Sequence, residues 1–466
     1  MLTYTFENAK GESLYEHLYN EIKKDILSFS LSPNEKLPSK RALAKNLNIS
    51  TITVENAYAQ LVAEGYIYSI PKSGFYVSDI SQRKMPVSKK VVDEPEAVES
   101  VPGYFADFVN NYISSEYFPF SIWNRLMRNI MSDYAKKLMV RSPSQGVAKL
   151  RRAIAAHLYQ FRGISVSPDQ IIVGAGTEYL YGLIIQLLGR DKLYAVEEPG
   201  YRKISKIYDS NNINSVHIGL DELGIDIKAL EKSRADILHI SPSHHFPTGI
   251  VTPISRRYEI LSWVSKSPDR YIIEDDYDSE FRLLGKPIPS LSSIDVLDKV
   301  IYMNTFSKSL SSTIRISYMV LPKALMDRYN QTLSFYSCTV SNFEQYTLAE
   351  FIEKGYMEKH INRMRNYYRA QRDSILCAIK SEKYFNRTKI KEENAGLHFL
   401  LEVDTDMSDT MLVERARKKG INISCLSQYY YDKSHAKEHT IIINYSGIDR
   451  EIIPSAITRL YQALWD

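Results

Sequence analysis

Apolar side chains fall four apart at Leu14, Leu18, Ile22 and Ile26, which marks one face of an amphipathic helix over residues 13–27. Ser32-Pro33-Asn34 interrupts that pattern. It resumes after Ser39, an N-cap for a short helix in which Leu43 and Leu47 share a face. Ser50 caps a third helix over 51–64, whose core stripe is Val54, Ala57, Tyr58 and Leu61, and Gly65 ends it. Then the period changes. Residues 66–69 and 75–77, separated by Pro71-Lys72-Ser73-Gly74, read as a hairpin. Two close helices joined by the turn Asn48-Ile49-Ser50 and followed by a hairpin form the outline of a winged helix-turn-helix.

Residues 80–104 hold no sustained period, alternate blocks of charge and contain three prolines, so they read as a linker. Short strand-like runs follow at 171–173, 193–196, 237–240, 271–273 and 300–303; the last two are the β-branched and aromatic runs of buried parallel strands. Helical patterns cover 343–352 and 357–380, where Arg363, Arg365, Arg369 and Arg372 read as a solvated face. Residues 396–403, 421–425 and 440–447 suggest a smaller α/β lobe. The predicted division is 11–79 for the winged helix, 80–104 for the linker and 105–466 for an α/β module. Within the module, a large lobe over about 145–330 precedes a small lobe over about 335–466.

Composition adds limits. A chain of 466 residues fits about three domains, and 44% hydrophobic with 24% charged residues is ordinary for a globular protein. The net charge of +4 neither demands nor excludes nucleic acid. Cys338, Cys377 and Cys425 have no paired spacing, so neither a disulfide framework nor a metal site is indicated, and a reducing cytoplasm is expected. The amino terminus lacks a signal-peptide pattern, and the apolar run at 180–188 is too short to span a bilayer.

The candidate chemistry lies at strand ends. Ligands of open α/β sheets sit beyond the carboxyl ends of the strands, where Glu274-Asp275-Asp276-Tyr277 and Thr305-Phe306-Ser307-Lys308 follow neighbouring strands. An isolated Asp or Lys would ordinarily be a helix cap or a surface charge. Here an acid able to protonate a ring nitrogen, a lysine able to form a Schiff base, and Arg315 beside hydroxyls together suit pyridoxal phosphate (PLP). The turn Gly174-Ala175-Gly176-Thr177-Glu178 opens a helix and offers amides to a phosphate, although the Glu178 side chain must then point away. Tyr201 could stack on a ring or simply pack. His244-His245 invites a metal reading, but no further ligands stand at metal-like spacing nearby.

Thr305-Phe306-Ser307-Lys308 with Arg315 resembles the PLP-lysine motif of fold-type I aminotransferases. LPSKRALAKNLNIS, TVENAYAQLVAEGY and the Ser-Gly-Phe-Tyr-Val wing resemble GntR-type winged helices, and the whole chain resembles the MocR/GabR group of GntR regulators. The resemblance implies Lys308 as the Schiff-base lysine, Asp275 on the pyridine nitrogen and Tyr277 on O3′. It places Gly176, Thr177, Glu178, Thr305, Ser307 and Arg315 around the phosphate and Tyr201 against the ring. It also implies a head-to-tail homodimer. Phe246 stands where the family has an asparagine, so His244 or His245, with His245 the candidate, is expected to supply that polar contact. The family's carboxylate-clamping arginine falls at about Ile442, and no arginine occurs between Arg417 and Arg450, so an amino-acid carboxylate is expected to be bound poorly or by another group such as Arg202 or Lys203.

In the winged helix, the amino-terminal residues of the third helix would enter the major groove. Thr51, Thr53 and Asn56 are the candidates for base edges, and Lys40, Arg41 and Lys72 for phosphates. Thr51 stands where GntR proteins often carry arginine. Residues 11–78 hold seven basic and seven acidic residues, so binding to double-stranded operator DNA would rest on local complementarity and dimer avidity. The leading expectation is a transcriptional regulator that senses PLP, or an amine or amino-acid effector. An active aminotransferase with an accessory DNA-binding domain, and a DNA-binding dimer with a vestigial cofactor site, are the alternatives.

Overall fold

Serines set the starts of the three amino-terminal helices. Ser13, Ser39 and Ser50 hold extended backbone before α1 (Leu14–Leu27), α2 (Lys40–Leu47) and α3 (Thr51–Ala63). The Ser39 and Ser50 hydroxyls accept from the amides of Ala42 and Thr53 at 3.2 and 3.0 Å, satisfying donors that a helix start leaves unpaired. In this computed structural model the described residues are 4, 13–80, 103–110, 115–283, 288–394 and 396–466. They divide into two units, within Met1–Ser100 and within Val101–Asp466. Residues 81–102 of the expected linker lie outside the described residues.

In the first unit Leu18, Ile22, Leu43, Val54, Tyr58 and Leu61 form the core with Ile67 and Val77. Leu14 is exposed, so the stripe on α1 begins one turn later than its spacing predicts. β1 (Ile67–Ile70) and β2 (Gly74–Val77) pair antiparallel, and Lys72 takes a left-handed φ of 62° in the turn between them.

The second unit opens with β3 (Ala106–Asp107). Its large sheet contains β4 (Ile171–Gly174), β5 (Tyr194–Glu198), β6 (Ser215–Asp221), β7 (Gly224–Ile225), β8 (Ile237–Ile240), β9 (Tyr271–Asp275), β10 (Val300–Thr305) and β11 (Ser317–Val320). The order is β4-β11-β10-β9-β8-β5-β6-β7, and the central run β10-β9-β8-β5-β6 is parallel. β11 runs antiparallel between β10 and β4. Buried aliphatic runs such as Ile171-Ile172-Val173 suit strands covered on both faces.

The smaller lobe contains β12 (Thr388–Lys391), β13 (His398–Val403), β14 (Ile421–Asn422), β15 (Ser424–Cys425) and β16 (Thr440–Asn444). Its sheet is ordered β12-β13-β16-β15, while β14 pairs in parallel with β3. On the long helix Tyr356–Ser381 the solvated face holds in part: Arg363 and Arg369 are exposed, while Arg365 is half-buried. Arg363, Arg365 and Arg369 donate to the carbonyls of Tyr117, Glu280 and Leu283, and Arg372 is buried. Cations at that spacing are therefore structural donors tying the helix to neighbouring loops. No helix among the described residues is long and apolar enough to cross a membrane.

Leu61→Ala removes a fully buried side chain from the winged-helix core, a change that costs about 2–5 kcal/mol at comparable sites. Hydrogen exchange on the full chain is expected to show faster exchange in peptides from 13–80 and unchanged rates in the large sheet.

Candidate functional site

Parallel pairing of β9 with β10 puts Asp275 opposite Met303, so both strands leave the sheet along the same edge. Beyond that edge lies a cavity of about 750 Å³. It is lined by Gly176, Thr177, Glu178, Tyr201, His245, Asp275, Tyr277, Thr305, Ser307, Lys308 and Arg315. Every cofactor-site residue expected from the sequence thus lines one space.

Asp275 is the most enclosed acid of the group. The Tyr181 hydroxyl donates to its Oδ2 at 2.5 Å, His239 Nε2 lies 4.0 Å away, and Oδ1 is buried without a hydrogen-bond partner. Burial pushes its carboxyl up to about 6, against the pull of the Tyr181 hydrogen bond. Lys308 is half-buried, and desolvation lowers its ammonium below the ordinary lysine value. Tyr277 lies 3.2 Å from His244 Nδ1, which sits 2.8 Å from Asp278 Oδ2.

The two histidines are separated by this arrangement. His244 faces Asp278, while His245 lines the cavity, with Nδ1 2.7 Å from Thr248 Oγ1 and Nε2 3.5 Å from Glu197. Burial lowers His245 to about 3 and raises Glu197 to about 8, which favours their neutral forms near pH 7. Phe246 meets Tyr201 and Tyr429 edge to face at 5.9 and 5.2 Å.

At the glycine turn, Gly176 has φ 94°, and a Cβ there would stand 2.5 Å from Arg315 Nη2. Only glycine lets Arg315 lie so close. The expectation that Glu178 would turn its side chain away is corrected: the carboxylate bonds Arg315 at 2.6 Å and also pairs with Lys203. The two cations hold it below the usual carboxylate value, Lys203 first. Thr305 Oγ1 accepts from the Ser307 amide at 3.1 Å and from Ser317 Oγ at 2.8 Å.

Sequence reasoning missed Tyr181, His239, Glu197 and Asn444, all on the cavity wall. Tyr181 stands four residues after Thr177, on the same helix face, and that spacing was an available signal. Ile442, at the clamp position, is buried in register with Leu400 and Ser424. Asn444, two residues on along the same strand face, reaches the cavity instead.

On α3, Thr51 and Asn56 are exposed, and Arg41 and Lys72 are likewise open. Two of the candidates have partners within the unit. Thr53 is half-buried and its hydroxyl lies 2.8 Å from Ser50 Oγ, spent on the helix cap. Lys40 pairs with Glu55 of α3 at 2.6 Å, so its charge neutralises an acid on the recognition helix before any phosphate.

Residues 14–77 match the family described as bacterial regulatory proteins, gntR family, and residues 123–460 match aminotransferase class I and II. The HTH-type transcriptional regulator YdeL of Bacillus subtilis is 39% identical, across 97% of this chain and 96% of its own length. The probable rhizopine catabolism regulatory protein MocR of Rhizobium meliloti is 28% identical over 97% and 93%. The chain belongs to the MocR-type regulators of the GntR family. A kynurenine aminotransferase structure from Pyrococcus horikoshii, 23% identical, superposes with a TM-score of 0.68 over 78% of this chain and 91% of that one. That likeness establishes the fold-type I architecture of the second unit. As a MocR-type regulator the chain is a DNA-binding transcription factor carrying an aminotransferase fold, a fold that typically uses PLP.

The buried acid gives this MocR-type chain a pH signature. Asp275 binds its proton more tightly folded than unfolded, so stability falls as pH rises from about 4 through about 6. Asp275→Asn is expected to remove about 3 kcal/mol of that fall, read from urea midpoints of the parent and the variant below and above that window.

Proposed function

We propose that the cavity binds PLP and that this regulator couples PLP, or an amine or amino-acid effector, to operator binding as a head-to-tail homodimer in the cytoplasm. The supporting observation is the buried Asp275 Oδ1, which has no hydrogen-bond partner beside a half-buried lysine in the same cavity. An acceptor left open in a desolvated wall is matched by a protonated ring nitrogen, which would also hold Asp275 ionised. Tyr181 fixes the carboxylate by its other oxygen.

Lys308 would anchor the cofactor covalently, its lowered ammonium value making the neutral amine more accessible. Gly176 and Thr177 would offer backbone amides at a helix start, with Ser307 and Arg315 beside them. Arg315 and Lys203 against one Glu178 leave a local charge of +1 (two cations less one anion), which favours a phosphate. Tyr201 would face the ring, Tyr277 its oxygen, and Thr305 would brace the turn. His245 is the polar neighbour in place of the family asparagine. PLP supplies an electrophilic carbonyl that exchanges amines, and that exchange is the basis of sensing. Thr51, Asn56, Arg41 and Lys72 would meet DNA, with 11–79 as reader, 80–104 as tether and 105–466 as sensor.

Asp275, Tyr277 and Lys308 in one cavity also keep a transaminase reading open. The buried Ile442 at the clamp position favours the sensor, because no bidentate cation stands there for an α-carboxylate.

Purified protein given PLP is expected to show a visible absorption band that survives desalting, and Lys308→Ala to lose it. Absence of a band in both proteins overturns the sensor and the enzyme readings together. Amino-group transfer to keto acids at ordinary aminotransferase rates would replace the sensor reading with the enzymatic one.

A further inference from the structure

The outward face of α3 is organised around one hydrocarbon side chain. Leu61, a fully buried residue of its core stripe, comes nine positions after Ile52, which is about two and a half turns. Ile52 therefore points directly away from the core formed by Val54, Ala57, Tyr58 and Leu61. It is 69% exposed, the most exposed large apolar residue described in the first unit.

Its neighbours on that face are Glu55, Asn56 and Ala59, at the three-, four- and seven-residue spacings of one helix side. Lys40 holds Glu55 at 2.6 Å, so the face carries little uncompensated negative charge toward DNA. The helix TITVENAYAQLVA contains no lysine or arginine, so the common guanine-reading contact is absent from it. A branched hydrocarbon in the amino-terminal turn of a recognition helix has one apolar counterpart on major-groove base edges, the thymine C5-methyl group. Asn56, one turn on, carries the amide that matches adenine N6 and N7.

The geometry points to Ile52 as a specificity-determining residue that packs on the C5-methyl of a thymine in the operator. The operator thus contains a thymine read by shape and burial, with no hydrogen bond from this side chain. The inference rests on DNA binding by the winged helix and is independent of the cofactor.

The test uses the full-length protein. A randomised duplex pool is selected for binding, and each thymine of the recovered site is then replaced by deoxyuridine, which lacks only the methyl group. Ile52→Ala is measured on the same duplexes. Because Ile52 is exposed, the melting profile of the variant is expected to match the parent. Loss of one methyl is expected to weaken parent binding about threefold to fivefold, and the same replacement is expected to leave Ile52→Ala unaffected. A site with no methyl-sensitive thymine overturns the assignment, as does a methyl effect of equal size in the parent and in Ile52→Ala.

Discussion

Desolvation of the acidic run that begins at the end of β9 is the constraint on which the second unit depends. Glu274, Asp275, Asp276, Asp278 and Glu280 are all buried within one short stretch. Like charges so close cannot all be ionised without compensation, and each has a different partner. Glu274 accepts two backbone amides and lies 3.7 Å from Arg257. Asp276 pairs with Arg162 at 3.0 Å and accepts from Tyr302. Asp278 takes His244, and Asn304 donates to Glu280. Asp275 Oδ1, Asp276 Oδ1 and Glu280 Oε2 are each buried without a hydrogen-bond partner, and of these three residues Asp275 is the one that lines the large cavity. The run thus fixes the strand edge from several sides and directs one carboxylate toward ligand space.

Much of this was legible in the sequence, for definable reasons. Buried parallel strands are apolar runs that stop abruptly, so 271–273 and 300–303 declared themselves, and Asp275, Tyr277, Thr305, Ser307 and Lys308 beyond them line the cavity. Helix caps were equally readable, since Ser39 and Ser50 do locally what their chemistry favours. What could not be read was pairing across distance. Tyr181 and Asp275 are ninety-four residues apart, and nothing local indicates that a tyrosine within an apolar helix braces an acid on another strand. The carbonyl acceptors of Arg363, Arg365 and Arg369 were hidden for the same reason: they lie on distant segments, which no periodicity encodes.

Pairing also sets the surroundings of two DNA-contact candidates. Lys40 stands beside α3, yet Glu55 takes its charge. Thr53 stands in the first turn, yet its hydroxyl belongs to the cap. Side-chain oxygen in a first helical turn is satisfied locally before it is offered to a ligand. The consequence on α3 is a reading face with a low charge, on which shape weighs more than ionic contact.

The same logic at the glycine turn bears on how two states of the regulator could differ. Glu178 joins three separate elements: its own helix after β4, Lys203 in the helix after β5, and Arg315 in the loop between β10 and β11. An anion that takes hydrogen bonds from Arg315 competes with Glu178 for the guanidinium, and Glu178 in turn shares its carboxylate with Lys203. Lys203 lies two residues from Tyr201, whose ring meets Phe246 edge to face. A ligand shifts an equilibrium only through contacts that differ between the two states. The pairs of Glu178 with Arg315 and Lys203 are contacts inside the cavity that an anion bound to Arg315 would change.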